Sequence, residues 1–213
     1  MSKYKCIIFD CDGVLIDSES IAIGVLVGMA NDLGANMDFQ ESLIGLKGKS
    51  LNLCLEGVSK RIDKPLPVNF EQDYRINTFE AFRENIQPIK GIKDVVENLT
   101  IPFCVASSGP ENKIRLNLDI TGLLPFFEGN IFSCYAIQKW KPEPDIFLWA
   151  AITMGFKPDE CLVVEDSVSG VRAAKAGRFD VFGYTEHDYK DELQHEATET
   201  FNSMDKLLEM LGF

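Results

Sequence analysis

Four short stretches carry side chains whose types and order could do chemistry together: Asp10-Cys11-Asp12-Gly13, Ser107-Ser108, Lys141 and Glu165-Asp166. Gathered at one place, four carboxylates would repel each other, and some would be forced to take up protons. A hard divalent cation removes that conflict, and an all-oxygen ligand set suits Mg²⁺. A carboxylate beside such a cation and a lysine can attack phosphorus and carry the phosphoryl group as an aspartyl-phosphate. Hydrolysis of a phosphate monoester is among the slowest uncatalysed reactions, with about 20 kcal/mol or more of barrier to remove. Positioning and charge neutralisation must share that task. In this chemistry Asp10 is the nucleophile. Asp12 protonates the leaving alkoxide and then takes a proton from the hydrolytic water. Ser107 hydrogen-bonds a phosphoryl oxygen, and Lys141 neutralises both the phosphoryl group and Asp10. Gly13 permits a tight turn and a close backbone approach to the phosphate.

These groups need elements that bring them together, and each follows or ends a predicted strand. Lys5 to Asp10 is a short apolar run, β-branched at Ile7 and Ile8, ended by a turn at Gly13. Pro102 to Ser107, Asn130 to Cys134, Cys161 to Glu165 and Asp180 to Gly183 also read as strands. Helical patterns separate them at Ile92 to Leu99, Glu111 to Ile120, Asp145 to Met154 and Val168 to Ala176, and Met204 to Leu211 closes the chain. Alternating strands and helices predict a parallel sheet covered on both faces. Such sheets bind ligands outside the carboxyl ends of their strands. From about Ser18 to Ile86 the pattern is helical only, with segments at Ser18 to Leu33, Leu51 to Ile62 and Glu71 to Phe82. The expected fold is α/β: a Rossmann-like parallel-sheet core, residues 1–16 and 88–213, with an inserted all-helical cap domain at 17–87.

Composition bounds the partners. The 213 residues are 46% hydrophobic, enough for a core domain and a smaller one. Against 21 basic residues stand 33 acidic ones, a formal net charge of -12. That balance argues against binding a nucleic-acid backbone, while a local cation can still admit one small anion. Ile21 to Ala30 is interrupted by Gly24 and Gly28 and falls short of the ~20 residues of a membrane span. No secretory pattern opens the chain. A cytoplasmic monomer is expected, acting on a small phosphorylated metabolite, with no nucleic-acid or membrane partner. The six cysteines form no Cys-x-x-Cys pair and read as reduced, partly buried residues. His187 and His195 read as solvated, and Trp140 as a packing residue or pocket wall.

The residues also resemble a known family. Asp10-Cys11-Asp12-Gly13-Val14-Leu15-Ile16-Asp17-Ser18 is similar to the first motif of the haloacid dehalogenase superfamily. Val105-Ala106-Ser107-Ser108 resembles its second, Lys141-Pro142-Glu143-Pro144-Asp145 its third and Val164-Glu165-Asp166-Ser167 its fourth. An insertion right after the first motif resembles the helical cap of the β-phosphoglucomutase-like branch. The resemblance implies Mg²⁺ held by the side chains of Asp10 and Asp166, by the backbone carbonyl of Asp12, and by Glu165 directly or through water. Leu51 stands where mutases of the branch carry a cap arginine, and Ala22 where they carry a histidine. Both departures favour a phosphatase over a phosphosugar mutase, the enzyme alternative. Related dehalogenases lack the second aspartate of the first motif, which here is Asp12.

Ser107 to Lys113, Ile137 to Pro142 and the pair Tyr74-Arg75 resemble bacterial phosphatases of 6-phosphogluconate, a substrate with a carboxylate at its far end. Lys47, Lys49 and Arg75 are candidates to read that carboxylate, and arginine suits a carboxylate fork. Ser108 joins Gly13, Ser107 and Lys141 at the phosphate. The expected activity is Mg²⁺-dependent hydrolysis of a small phosphorylated sugar or sugar acid, 6-phosphogluconate among them. A phosphoryl-accepting receiver module is the alternative of another class; receivers are shorter, lack the helical insertion and place the acceptor later.

Overall fold

The computed structural model describes residues 3–46, 49, 51–186, 188 and 191–212. Cys6–Phe9 forms β1, and all four of its residues are buried, as a central parallel strand covered on both faces requires. Ile16–Asp17 is β2 and Gln87–Pro88 is β3, a short antiparallel pair with Ile16 opposite Pro88 and Asp17 opposite Gln87. The remaining strands are β4 (Phe103–Ser107), β5 (Ile131–Ser133), β6 (Cys161–Glu165), β7 (Asp180–Tyr184) and β8 (Glu199–Phe201). Six of them make one sheet in the order β5-β4-β1-β6-β7-β8, and each neighbouring pair is parallel.

Register decides where the chemistry falls. Phe9 pairs with Val105 on one side and Val164 on the other. One residue further on, Asp10 therefore stands level with Ala106 and Glu165. The predicted strands and helices match this sheet closely, except at its edge. Glu199–Phe201 carries a single apolar residue, so no alternation marks it as a strand. Its pairing comes from β7, with Tyr184 opposite Phe201.

The helix Asp145–Met154 turns Ile146, Phe147, Ala150 and Ala151 into a core shared with Cys6, Ile8, Cys104, Cys161 and Val163. Phe9 and Phe103 on the strands and Phe127 on the short helix Leu124–Phe127 meet edge to face, the geometry that ring quadrupoles favour. All six cysteines are free and buried.

The chain divides into two compact units, residues 1–17 with 87–213, and residues 18–86. The second unit contains the helices Glu19–Asp32, Phe39–Leu46, Leu51–Ile62 and Phe70–Asn85. Its core includes Leu26, Ala30, Val58 and Phe70. Phe39–Leu46 was not distinguished by the sequence pattern: it is only eight residues long, and Leu43 and Leu46 pack against the core of this unit only partly buried. Among the described residues no helix is long and apolar enough to cross a membrane.

Candidate active site

The carboxyl ends of β1, β4 and β6 carry Asp10, Ser107 and Glu165, which are 7%, 1% and 0% exposed. Lys141 reaches into them from the loop beyond β5. Its Nζ donates to Asp10 Oδ1 and to Glu165 Oε1, both at 2.5 Å, and to the Ala106 carbonyl at 3.3 Å. The ring of the buried Phe147 lies 4.8 Å from the same nitrogen and closes its apolar side. Burial alone would lower the Lys141 pKa, but the attraction of Asp10 and Glu165 outweighs it and holds the ammonium well above its usual range.

Glu165 is fixed from its other oxygen as well. Oε2 accepts from the Ser167 backbone N–H at 2.9 Å and from the Ser167 hydroxyl at 2.8 Å. Ser167 caps the helix Val168–Ala176, its Oγ also accepting from the Gly170 N–H. Two glycines clear space for this acidic set. A Cβ on Gly170 would lie 1.8 Å from Glu165 Oε1, and one on Gly13 would lie 2.0 Å from Asp166 Oδ2. Gly13 has φ of +85°, a conformation that also favours glycine. Its N–H donates to the Ile16 carbonyl within the turn at 2.8 Å, and the close approach it makes here is to Asp166.

Asp10, Glu165 and Asp166 each offer a carboxylate oxygen within 4.8 Å of the others. Burial raises the Asp10 carboxyl, Lys141 pulls it down, and the charges of Glu165 and Asp12 push it up again, to about 7. One lysine therefore leaves this group of carboxylates short of positive charge. An all-oxygen set short of positive charge, with two glycines keeping room around it, fits a hard divalent cation. The acidic cluster can hold a metal.

Asp12 stands apart from this set and pairs with Lys113, whose Nζ lies 2.9 Å from both carboxylate oxygens. Ser107 Oγ accepts from the Gly109 N–H at 3.0 Å, and Ser108 Oγ accepts a long contact from Cys134 Sγ at 3.9 Å. The structure thus brings Asp10, Ser107, Lys141, Glu165 and Asp166 to one strand edge, with Asp12 and Gly13 on the turn that leaves it. Lys49 and Arg75 belong to the helical unit. Lys49 is exposed, and Arg75 donates to Glu71 Oε1 through Nε and Nη2 at 3.0 and 2.8 Å. Lys47 and His187 lie outside the described residues. His195 is exposed, and Trp140 is 39% exposed with its ring edge-to-face against Tyr135.

Sequence reasoning assigned no role to Lys113, Ser167 or Gly170. Lys113 lies in the first turn of a predicted helix right after Ser107 and Ser108, so its place beside the site was legible from position. Gly170 was not, because its reason is the clearance of a side chain that approaches it from the neighbouring strand end.

A parallel α/β sheet with paired acids, a buried lysine and a small-residue turn at its carboxyl edge defines a hydrolase core built around a carboxylate. The chain belongs to the haloacid dehalogenase-like hydrolases, whose family model matches residues 4–178. It is 31% identical to the 6-phosphogluconate phosphatase of Escherichia coli (strain K12), over 99% of this chain and 96% of that protein. The fructose-1-phosphate phosphatase of the same organism is 25% identical, over 84% of this chain and 95% of its own. A solved haloacid dehalogenase-like protein of unknown function from Agrobacterium tumefaciens superimposes with a TM-score of 0.88 at 29% identity, covering 98% of each chain. With this membership and these relatives, the chain is a phosphoric monoester hydrolase.

Proposed function

We propose that this enzyme is a Mg²⁺-dependent phosphatase of small phosphorylated sugars or sugar acids, 6-phosphogluconate first among them, working through an aspartyl-phosphate on Asp10. The observation that carries the reading is Lys141, buried and bridging Asp10 and Glu165 at 2.5 Å each, beside a third acidic residue in metal-binding range. Asp10 and Asp166 would hold Mg²⁺ by their side chains and Asp12 by its backbone carbonyl. Both oxygens of Glu165 already accept from Lys141 or Ser167, which favours its contact to the ion through water. When bound, the ion would keep Asp10 ionised and offset the charge that builds on the phosphoryl oxygens.

The protein's own groups then divide the work. An Asp10 carboxylate oxygen forms a bond to phosphorus as the bond from phosphorus to the leaving oxygen breaks, and Asp12 gives that oxygen its proton. A water oxygen next bonds to phosphorus, the Asp10 acyl-phosphate bond breaks, and the water's proton passes to Asp12. One ester and one water become one alcohol and one phosphate. Gly13, Ser107, Ser108 and Lys141 are assigned to the phosphoryl oxygens, where fixed donors are worth more than in water.

Lys47, Lys49 and Arg75 are assigned to the far end of the substrate. For Arg75 this requires leaving Glu71, an exposed pair one helical turn away worth only about 0.3–0.5 kcal/mol. The enzyme is taken to act as a cytoplasmic monomer. The test is multiple turnover of p-nitrophenyl phosphate with Mg²⁺, abolished by EDTA and by Asp10→Asn in a folded protein. A single stoichiometric phosphorylation would instead indicate a switch, and near-wild-type turnover by Asp10→Asn would remove Asp10 as nucleophile. A panel of phosphorylated metabolites ranked by kcat/KM tests the substrate class.

A further inference from the structure

We propose that Lys113 is a positioning residue for Asp12, aiming the carboxylate that serves hydrolysis of the phosphoenzyme. The inference rests on the reading of Asp12 as the acid and base of the proposed reaction. Three observations support it. Lys113 Nζ sits 2.9 Å from Asp12 Oδ1 and 2.9 Å from Oδ2, so one ammonium spans both oxygens of a side chain 101 positions away. The two side chains are 23% and 25% exposed, half-sheltered at the edge of the site. The backbone of Gly109 lies against both: a Cβ there would stand 3.7 Å from Lys113 Cδ, 3.8 Å from Asp12 Oδ2 and 3.4 Å from Ser107 Oγ. Lys113 thus ties the turn that carries Asp12 to the helix Glu111–Ile120 that follows Ser107.

Asp12 follows the strand on a turn, and its side chain has two rotatable bonds. A contact to both oxygens fixes the direction of the carboxylate as well as its distance. Misplacement of a catalytic group by ~1 Å can cost on the order of 100-fold in rate. The same placement aims the carboxylate at the water in the second half-reaction, where Asp12 is the one group assigned to take the proton. Lys113 itself transfers no proton and touches no reacting atom in this scheme.

The assay is stopped-flow hydrolysis of p-nitrophenyl phosphate with Mg²⁺ by wild type, Lys113→Met, Lys113→Arg, Asp12→Asn and the double variant Asp12→Asn/Lys113→Met. The aryl leaving group departs without a proton, so phosphorylation of Asp10 stays fast while dephosphorylation still needs Asp12. Lys113→Met is expected to release about one equivalent of p-nitrophenolate in a burst and then turn over about 10- to 100-fold more slowly than wild type. Lys113→Arg should recover most of that loss. Adding Lys113→Met to Asp12→Asn should lower the rate less than 2-fold further, since the lysine acts through the residue already removed.

A steady-state rate for Lys113→Met within 2-fold of wild type overturns the proposal. So does a loss without a burst, or an undiminished loss in the Asp12→Asn background, which would make Lys113 a direct substrate ligand. A wild type inert towards the ester overturns the phosphatase reading, and this one with it; an active wild type with an unaltered Lys113→Met overturns this one alone.

Discussion

Gly170 lies in the first turn of the helix that follows β6, and replacing it by alanine tests the packing beneath the acidic cluster. The added methyl would stand 1.8 Å from Glu165 Oε1, 1.9 Å from Cδ and 2.4 Å from Oε2. A free glutamate would swing aside. This one has no exposed surface and is held by Lys141 at 2.5 Å and by Ser167 at 2.9 and 2.8 Å. Either the helix start shifts, an overpacking cost of about 1–3 kcal/mol, or Glu165 leaves Lys141, and breaking a buried pair costs about 3–5 kcal/mol. Taking about 3 kcal/mol as the central value, and about 2–4 °C per kcal/mol for a chain of this size, the melting midpoint should fall by roughly 10 °C. Differential scanning calorimetry measures the midpoint, and turnover with Mg²⁺ should fall with it because Lys141 loses its anchor. Gly28→Ala is the control: it is a helical position with no atom within 4 Å of an added Cβ, and it should gain about 0.5–1 kcal/mol. Shortening the obstructing side chain, in Gly170→Ala/Glu165→Asp, should recover part of the loss. A Gly170→Ala protein that melts within about 2 °C of wild type and keeps full activity would refute this account of Glu165 as a pinned residue.

Two further outcomes concern charge. Lys141→Met leaves Asp10 and Glu165 buried without their cation, and urea unfolding at pH 8 should show a loss of about 3–5 kcal/mol. The loss should shrink toward pH 5 as the freed carboxyls take up protons. In metal-free protein the Asp10 carboxyl is raised to about 7 from its ordinary 3.8. A raised carboxyl contributes stability that is full below its unfolded value and is lost as pH climbs through the folded one. Wild type should therefore lose up to about 4 kcal/mol relative to Asp10→Asn between pH 4 and pH 8. The comparison with Asp10→Asn cancels the titrating groups remote from the site, and Lys141, also raised, titrates above this window. A flat difference across that range would show that burial does not raise Asp10.

Much of the sheet unit was legible because its signals are local. Cys161 to Glu165 is an unbroken apolar run ended by an acid, and it forms β6 with those bounds. Glu111 to Ile120 and Val168 to Ala176 likewise match their helices to the residue. That these residues would meet was legible for the same reason: ligands bind at the carboxyl edge of a parallel sheet, and Asp10, Ser107 and Glu165 stand at the carboxyl ends of three adjacent strands. What escaped depends on contacts between distant segments. The pairing of Lys113 with Asp12 and the clearance at Gly170 are made by side chains far apart in sequence or packed across a turn, and neither leaves a periodic trace. The two-residue strands β2 and β3 are too short to carry any alternation. Their pairing exists because the chain returns beside the point where it left.

That return has a consequence for how such an enzyme can change. Asp17 and Gln87 face each other across a two-rung ribbon, so the chain leaves for residues 18–86 and comes back from them at paired positions. A replacement segment of another length or sequence needs only to start and finish at the same two neighbouring residues. The strand registers that set Asp10 level with Glu165 would be untouched by the exchange. A segment exchanged at those two positions would leave Asp10, Lys141 and Glu165 where they stand.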